Sequence, residues 1–193
     1  EGDEVYHEED LDTIYNSMKE NHQDPKVEAL VFNFNHFYGN AYSVLNSPGW
    51  YRSEARILKN SIRSYAPDGL FWLVLDKNKN GRYPKAKHTG VSCYHYGWVR
   101  SEDQMTLKST KVQKYWGGDP VKIDYSGIDK SIIYEFKGTH PKVIHQWLPK
   151  NSDLFLTNPK YRLTGKEKKH RAMIKLEKLF GIDLSKKHYK LIE

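Results

Sequence analysis

Strands of the buried type alternate with amphipathic helical stretches along these 193 residues, and the alternation predicts an α/β fold. Three stretches carry that expectation. Residues 27–34 (VEALVFNF) are too apolar for an exposed strand and read as a buried one in a covered sheet. Residues 8–21 set Leu11, Ile14, Tyr15 and Met18 at helical spacing, with acids in the first turns and Asp24-Pro25 as a stop. A last helix is bracketed by a Thr164/Glu167 capping box and by Gly181.

Bulk properties narrow the class. A hydrophobic share of 38% and a mean hydropathy of −0.81 fit a polar surface, and no window approaches the ~18 apolar residues of a membrane span. The single cysteine, Cys93, excludes an internal disulfide and fits a reducing, cytoplasmic compartment. Formal charge is +7 but unevenly placed: residues 1–30 hold ten Asp/Glu against two Lys, leaving the remainder at +15. Such a basic body attracts phosphorylated ligands, nucleic acid or anionic headgroups. The absence of an initiator Met and the opening inside a carboxylate cluster lead us to expect a fragment.

In chain order, Glu1 and Asp3 alternate along a strand end, so both project from one face, as a hard divalent cation requires of oxygen ligands. After the 27–34 strand, residues 35–40 put His36 and Tyr38 in a loop at its carboxyl end, where ligands bind in open α/β sheets. Trp50 and Tyr51 follow a turn at 47–49, and residues 55–59 form a short strand carrying Arg56. A hairpin is expected around residues 76–81, DKNKNG. Its start resembles a calcium loop, but Lys87 stands where a bidentate Glu is needed, so it reads as an Asn-Gly turn.

Residues 90–94 then lead as a strand into Tyr94-His95-Tyr96-Gly97-Trp98-Val99-Arg100, which delivers a histidine, aromatics, a hinge glycine and an arginine to one point. Ser101 and Gln104 have capping-box spacing, so a helix runs to about Trp116 with Met105, Val112 and Tyr115 or Trp116 inward, stopped at 117–120. A strand at 132–136, a short helix opened by His140-Pro141 and a linker-like stretch at 151–162 precede the last helix. In that helix Met173, Leu176, Leu179 and Phe180 are expected to face away from Lys166, Lys168, Lys169 and Lys175.

The order of these features resembles the second half of a family 2 nucleotide-sugar glycosyltransferase of the GT-A fold. The residues that carry it are Glu1-Gly2-Asp3-Glu4-Val5, the 36–39 loop, Arg56-Ile57-Leu58-Lys59, and residues 94–100 followed by a helix with Met105 and Lys108. The resemblance implies a partial GT-A, Rossmann-like sheet with flanking helices, its catalytic half over 1–120 and a mixed, helical C-terminal extension over 121–193. It also implies inverting transfer from a nucleotide-sugar donor to a glycan or lipid-linked acceptor, in cell-envelope or polysaccharide synthesis. The family's D-x-D element, which binds Mn²⁺ or Mg²⁺, matches Glu1-Gly2-Asp3 with Glu in the first place, and its late metal or phosphate histidine matches His95. An inverting enzyme needs a carboxylate base between those motifs, for which Asp68 and Glu54 are the candidates. The family's nucleotide-binding strands precede its D-x-D element and have no counterpart in these residues.

Trp50 and Trp98 are candidates to stack on sugar or base, and Arg56 and Arg100 to bind phosphate. The basic last helix reads first as packed on the domain with a solvated outer face, and in the alternative as a peripheral contact with an anionic membrane. The rival expectation is a non-catalytic basic module that binds nucleic acid or sugar. The acidic first 30 residues and the absence of a nucleic-acid motif speak against nucleic acid as a partner.

Overall fold

The computed structural model describes residues 2–119, 121–148 and 157–192, with the side chains of residues 68 and 114–116 outside the description. The expected α/β class holds at the level of a mixed sheet and, among the described residues, three α-helices. No described helix is long and apolar enough to cross a membrane. Residues 151–156 of the linker-like stretch lie outside the described residues, as do the Tyr115 and Trp116 side chains, one of which is expected to face inward.

The chain forms two compact units that interleave along the sequence. The first holds residues 1–5, 35–48 and 94–184, and the second residues 6–34, 49–93 and 185–193. Two long strands, β2 (Ala29–Tyr38) and β8 (Lys85–Trp98), give their first halves to the second unit and their last residues to the first.

In the second unit β2 carries Leu30, Val31 and Phe32 buried on both faces, as its apolar run predicts. It pairs antiparallel with β4 (Ser53–Leu58). Glu28 N donates to Lys85 O, and the Asn33 side chain reaches Gly90 O, so partner numbers rise together and β2 and β8 run parallel. A short strand, β10 (Lys190–Leu191), adds to β8 in parallel. The helix α1 (Leu11–Asn21) follows a 3₁₀ turn at Glu8–Asp10, but only Ile14 of the expected stripe is buried. Leu11, Tyr15 and Met18 face solvent because the strands offer this short helix a single line of contact.

A separate three-stranded antiparallel sheet holds β5 (Ser64–Tyr65), β6 (Leu73–Leu75) and β7 (Gly81–Arg82). The expected hairpin is there, with a different turn. Asp76 Oδ1 accepts from Asn78 N and Asn80 N, both at 2.8 Å, and Lys79 takes the left-handed backbone (φ 62°). Gly81 lies inside β7, where a Cβ would stand 2.5 Å from the Tyr65 hydroxyl.

In the first unit β3 (Ser43–Leu45) pairs antiparallel with the end of β2 and with β9 (Ile133–Glu135). His36, Phe37 and Tyr38 are therefore strand residues and not a loop: His36 and Phe37 pair with Leu45 and Val44, and burial of all three continues the covered run. The helix α2 (Glu102–Trp116) starts where capping predicts, with Ser101 Oγ accepting from Gln104 N and Met105 buried beneath. The helix α3 (Gly165–Phe180) has its full Thr164/Glu167 capping box, and Gly181 (φ 65°) ends it in the left-handed region. Leu176, Leu179 and Phe180 do not oppose the lysines as expected; they are exposed together with Lys168, Lys169 and Lys175. Glu167 and Arg171 anchor the other side, to Tyr161 and Asp129.

Arg171 grips Asp129 with two 2.7 Å bonds, and Ser131 donates to the same carboxylate. The Arg171 hydrogen bond is the main cause that lowers the Asp129 carboxyl from 3.8 to about 2. A depressed carboxyl contributes stability above its unfolded pKa and loses it as pH falls through the folded value. Asp129→Asn should therefore flatten the stability loss between roughly pH 4 and pH 2 by about 1 kcal/mol in urea titrations, the figure discounted for the exposed flank of Arg171.

Glu54 is wholly buried in the second unit, its Oε2 2.5 Å from His188 Nδ1 and its Oε1 accepting from Ala55 N. Phe71 stacks on the His188 ring at 4.3 Å. His188→Ala leaves that carboxylate without its partner and should cost about 3 kcal/mol of stability by chemical denaturation.

Candidate active site

Backbone alternation along the end of β8 sorts its residues onto two faces: Tyr94 and Tyr96 share one, His95 and Gly97 the other. Tyr96 is buried, stacked on Phe37 at 4.6 Å, and its hydroxyl lies 2.8 Å from His140 Nδ1. That packing fixes the strand, and the strand fixes His95. The chain start is tied to the same point, since Tyr96 N donates to Asp3 O at 2.8 Å.

Asp3 and His95 consequently meet, with Asp3 Oδ1 4.0 Å from His95 Nε2. Behind them His36, only 2% exposed, places its Nδ1 2.9 Å from His95 Nδ1. One ring must donate there and the other accept. If His95 Nδ1 carries the proton, His95 Nε2 presents its lone pair toward Asp3.

From the second turn of α2, Lys108 Nζ reaches Asp3 Oδ2 at 3.1 Å and Gly97 O at 3.4 Å. Burial works to raise the Asp3 carboxyl, but the Lys108 hydrogen bond and charge, with His95 adding to them, hold it below the usual carboxylate range. Asp3 is thus an anion across ordinary pH.

Gly97 keeps the fork between these groups open. A Cβ at this position would lie 2.6 Å from His95 Nε2 and 2.9 Å from Asp3 Oδ2. The glycine answers to space and not to backbone freedom, since its φ is not positive.

Asp3 also lines a cavity of about 690 Å³ in the same unit. Its wall includes Tyr96 and Trp147 as aromatic surface, and Arg100, Ser101 and Gln104 where α2 begins. A helix start beside an arginine favours a bound anion.

Two ligand atoms about 2.1 Å from one cation can stand up to about 4.2 Å apart, so Asp3 Oδ1 and His95 Nε2 are within reach of a shared divalent ion. Among the described residues no group of three or more His, Cys, Asp or Glu side chains is placed to hold a metal. The pair could hold such an ion only if further ligands came from a bound molecule or water.

The other expected site residues are placed as follows. Glu1 lies outside the described residues, as does the Asp68 side chain, although the Asp68 backbone falls in the 3₁₀ turn Pro67–Gly69. His36 sits behind His95, buried, and does not line the cavity wall. Tyr38 is buried against Trp98 and Tyr125, and burial pushes its phenol up to about 12. Trp98 is engaged in that same stack. Arg100 is exposed at the cavity as expected. Trp50, Arg56 and Glu54 belong to the second unit, where Arg56 lies 4.8 Å over the Phe34 ring and Glu54 is buried against His188, away from any solvent-borne hydroxyl. The sequence shows Gln104 only as a capping residue and gives no sign of Trp147 at the cavity or of the spatial role of Gly97; the capping pattern at 101–104 is the one signal that places a helix start there.

Gly97→Ala fills the fork and should weaken binding of Mn²⁺ together with pyrophosphate at least tenfold by calorimetry while the far-ultraviolet spectrum is unchanged. Comparison with known families, curated proteins and solved structures finds no match to this chain.

Proposed function

We propose that this chain carries the donor-binding part of an inverting, metal-dependent glycosyltransferase of the GT-A type, which transfers a sugar from a nucleotide-sugar donor to a glycan or lipid-linked acceptor. The observation that carries the reading is the Asp3/His95 fork held open by Gly97, whose Asp3 lines a cavity that Arg100 and the start of α2 also line.

Glycosyl transfer expels a nucleoside diphosphate, and its growing negative charge needs fixed positive partners. A divalent ion supplies Lewis-acid stabilisation of that leaving group when it is bound. Arg100 is the residue suited to a bidentate grip on phosphate. Trp147, set edge-on to Tyr96 at 5.7 Å, offers a face for the base or sugar. His36 fixes the orientation of His95, and Lys108 balances Asp3. Asp3, held by Lys108, is not the base; that carboxylate comes from outside this cluster.

Calorimetric titration of the chain with UDP and GDP, with and without Mn²⁺, tests the reading. Metal-dependent nucleotide binding is expected, weakened at least tenfold in both Asp3→Asn and His95→Ala. Absence of nucleotide binding in either condition, or binding that both variants leave intact, overturns it.

A further inference from the structure

The outward side of α3 is unlike an ordinary solvated helix face. Leu179 is 73% exposed and Phe180 64%, with Leu176 exposed beside them. The three stand at i, i+3 and i+4 and form one strip. Lys168 and Lys175 share the ridge of Leu179, and Lys169 shares that of Leu176 and Phe180. Lys175 thus edges the strip, and Lys168 and Lys169 continue its ridges toward the helix start, all of them exposed.

The inward side holds the polar anchors. Glu167 accepts from Thr164 and Tyr161, and Glu177 accepts from Leu184 N. These are the two carboxylates of the helix, and both are half-buried and engaged, so the outward face carries no negative charge. Its chemistry is apolar tips flanked by cations on long flexible stems.

We propose that this face docks α3 in the plane of an anionic lipid bilayer surface. Leucine and phenylalanine side chains enter the acyl boundary while lysine stems snorkel to the headgroups, the arrangement of an interfacial helix. A second copy of the chain is a poor occupant, because pairing two such faces sets lysine against lysine. The inference stands on α3 alone and does not depend on the transferase reading.

The test is flotation of the whole chain with vesicles of phosphatidylglycerol and, separately, of phosphatidylcholine. Co-flotation is expected with the anionic vesicles and not with the neutral ones, and it should decline with added salt. Leu179→Glu with Phe180→Glu should abolish it, and Lys168→Gln with Lys169→Gln should lower the partition coefficient about tenfold or more. All four positions are exposed, so circular dichroism of both variants should match the parent. No flotation with phosphatidylglycerol overturns the proposal, as does flotation undiminished in the Leu179/Phe180 variant. A dimer in light scattering that Leu179→Glu disperses also overturns it, since a second copy then covers the face.

Discussion

The parallel pairing of β2 with β8 is the constraint from which most else follows. β2 is covered on both faces and β8 alternates between a buried face and a more open one, so a residue on either strand has its environment set by the register. In the first unit that register sends Phe37 and Tyr96 into an aromatic core and sends His36 and His95 to the opposite side, where they meet. A slip of one residue in either strand would bury a histidine among the aromatics and dissolve the fork at Gly97.

The same pairing explains how a chemically demanding cluster is held without a large polar network. Backbone bonds set Asp3 against β8, ring packing sets Tyr96, and one helix brings Lys108. The precision comes from strands and a capped helix, elements whose geometry is fixed more tightly than that of a loop.

Local signals in the sequence were legible wherever the physics is local. The capping residues Ser101 and Thr164, the stop at Gly181 and the apolar run at 27–34 all act within a few residues, and the structure places those elements there. Features decided by distant partners were not. His36 to Tyr38 looked like a loop because polar and aromatic residues mix there, and only pairing with Val44 and Leu45 makes them strand. The outward leucines of α3 and the exposed side of α1 reflect what the rest of the chain leaves uncovered, which helical spacing does not reveal. Asp3 and His95 are paired in the sequence only through the family resemblance, while Gly97 and Lys108 take their roles from approaches in space that no local pattern encodes.

Lys108 gives the cluster a resting charge close to balance, its ammonium offsetting the Asp3 carboxylate. A bare divalent ion arriving alone would have to displace that ammonium or sit beside it, and would gain little over its hydration in water. An ion already neutralised by an anionic companion meets no such penalty, because the companion absorbs the excess positive charge. On the proposed reading the lysine would then act as a charge gate, favouring an ion that arrives with its anion over an ion by itself.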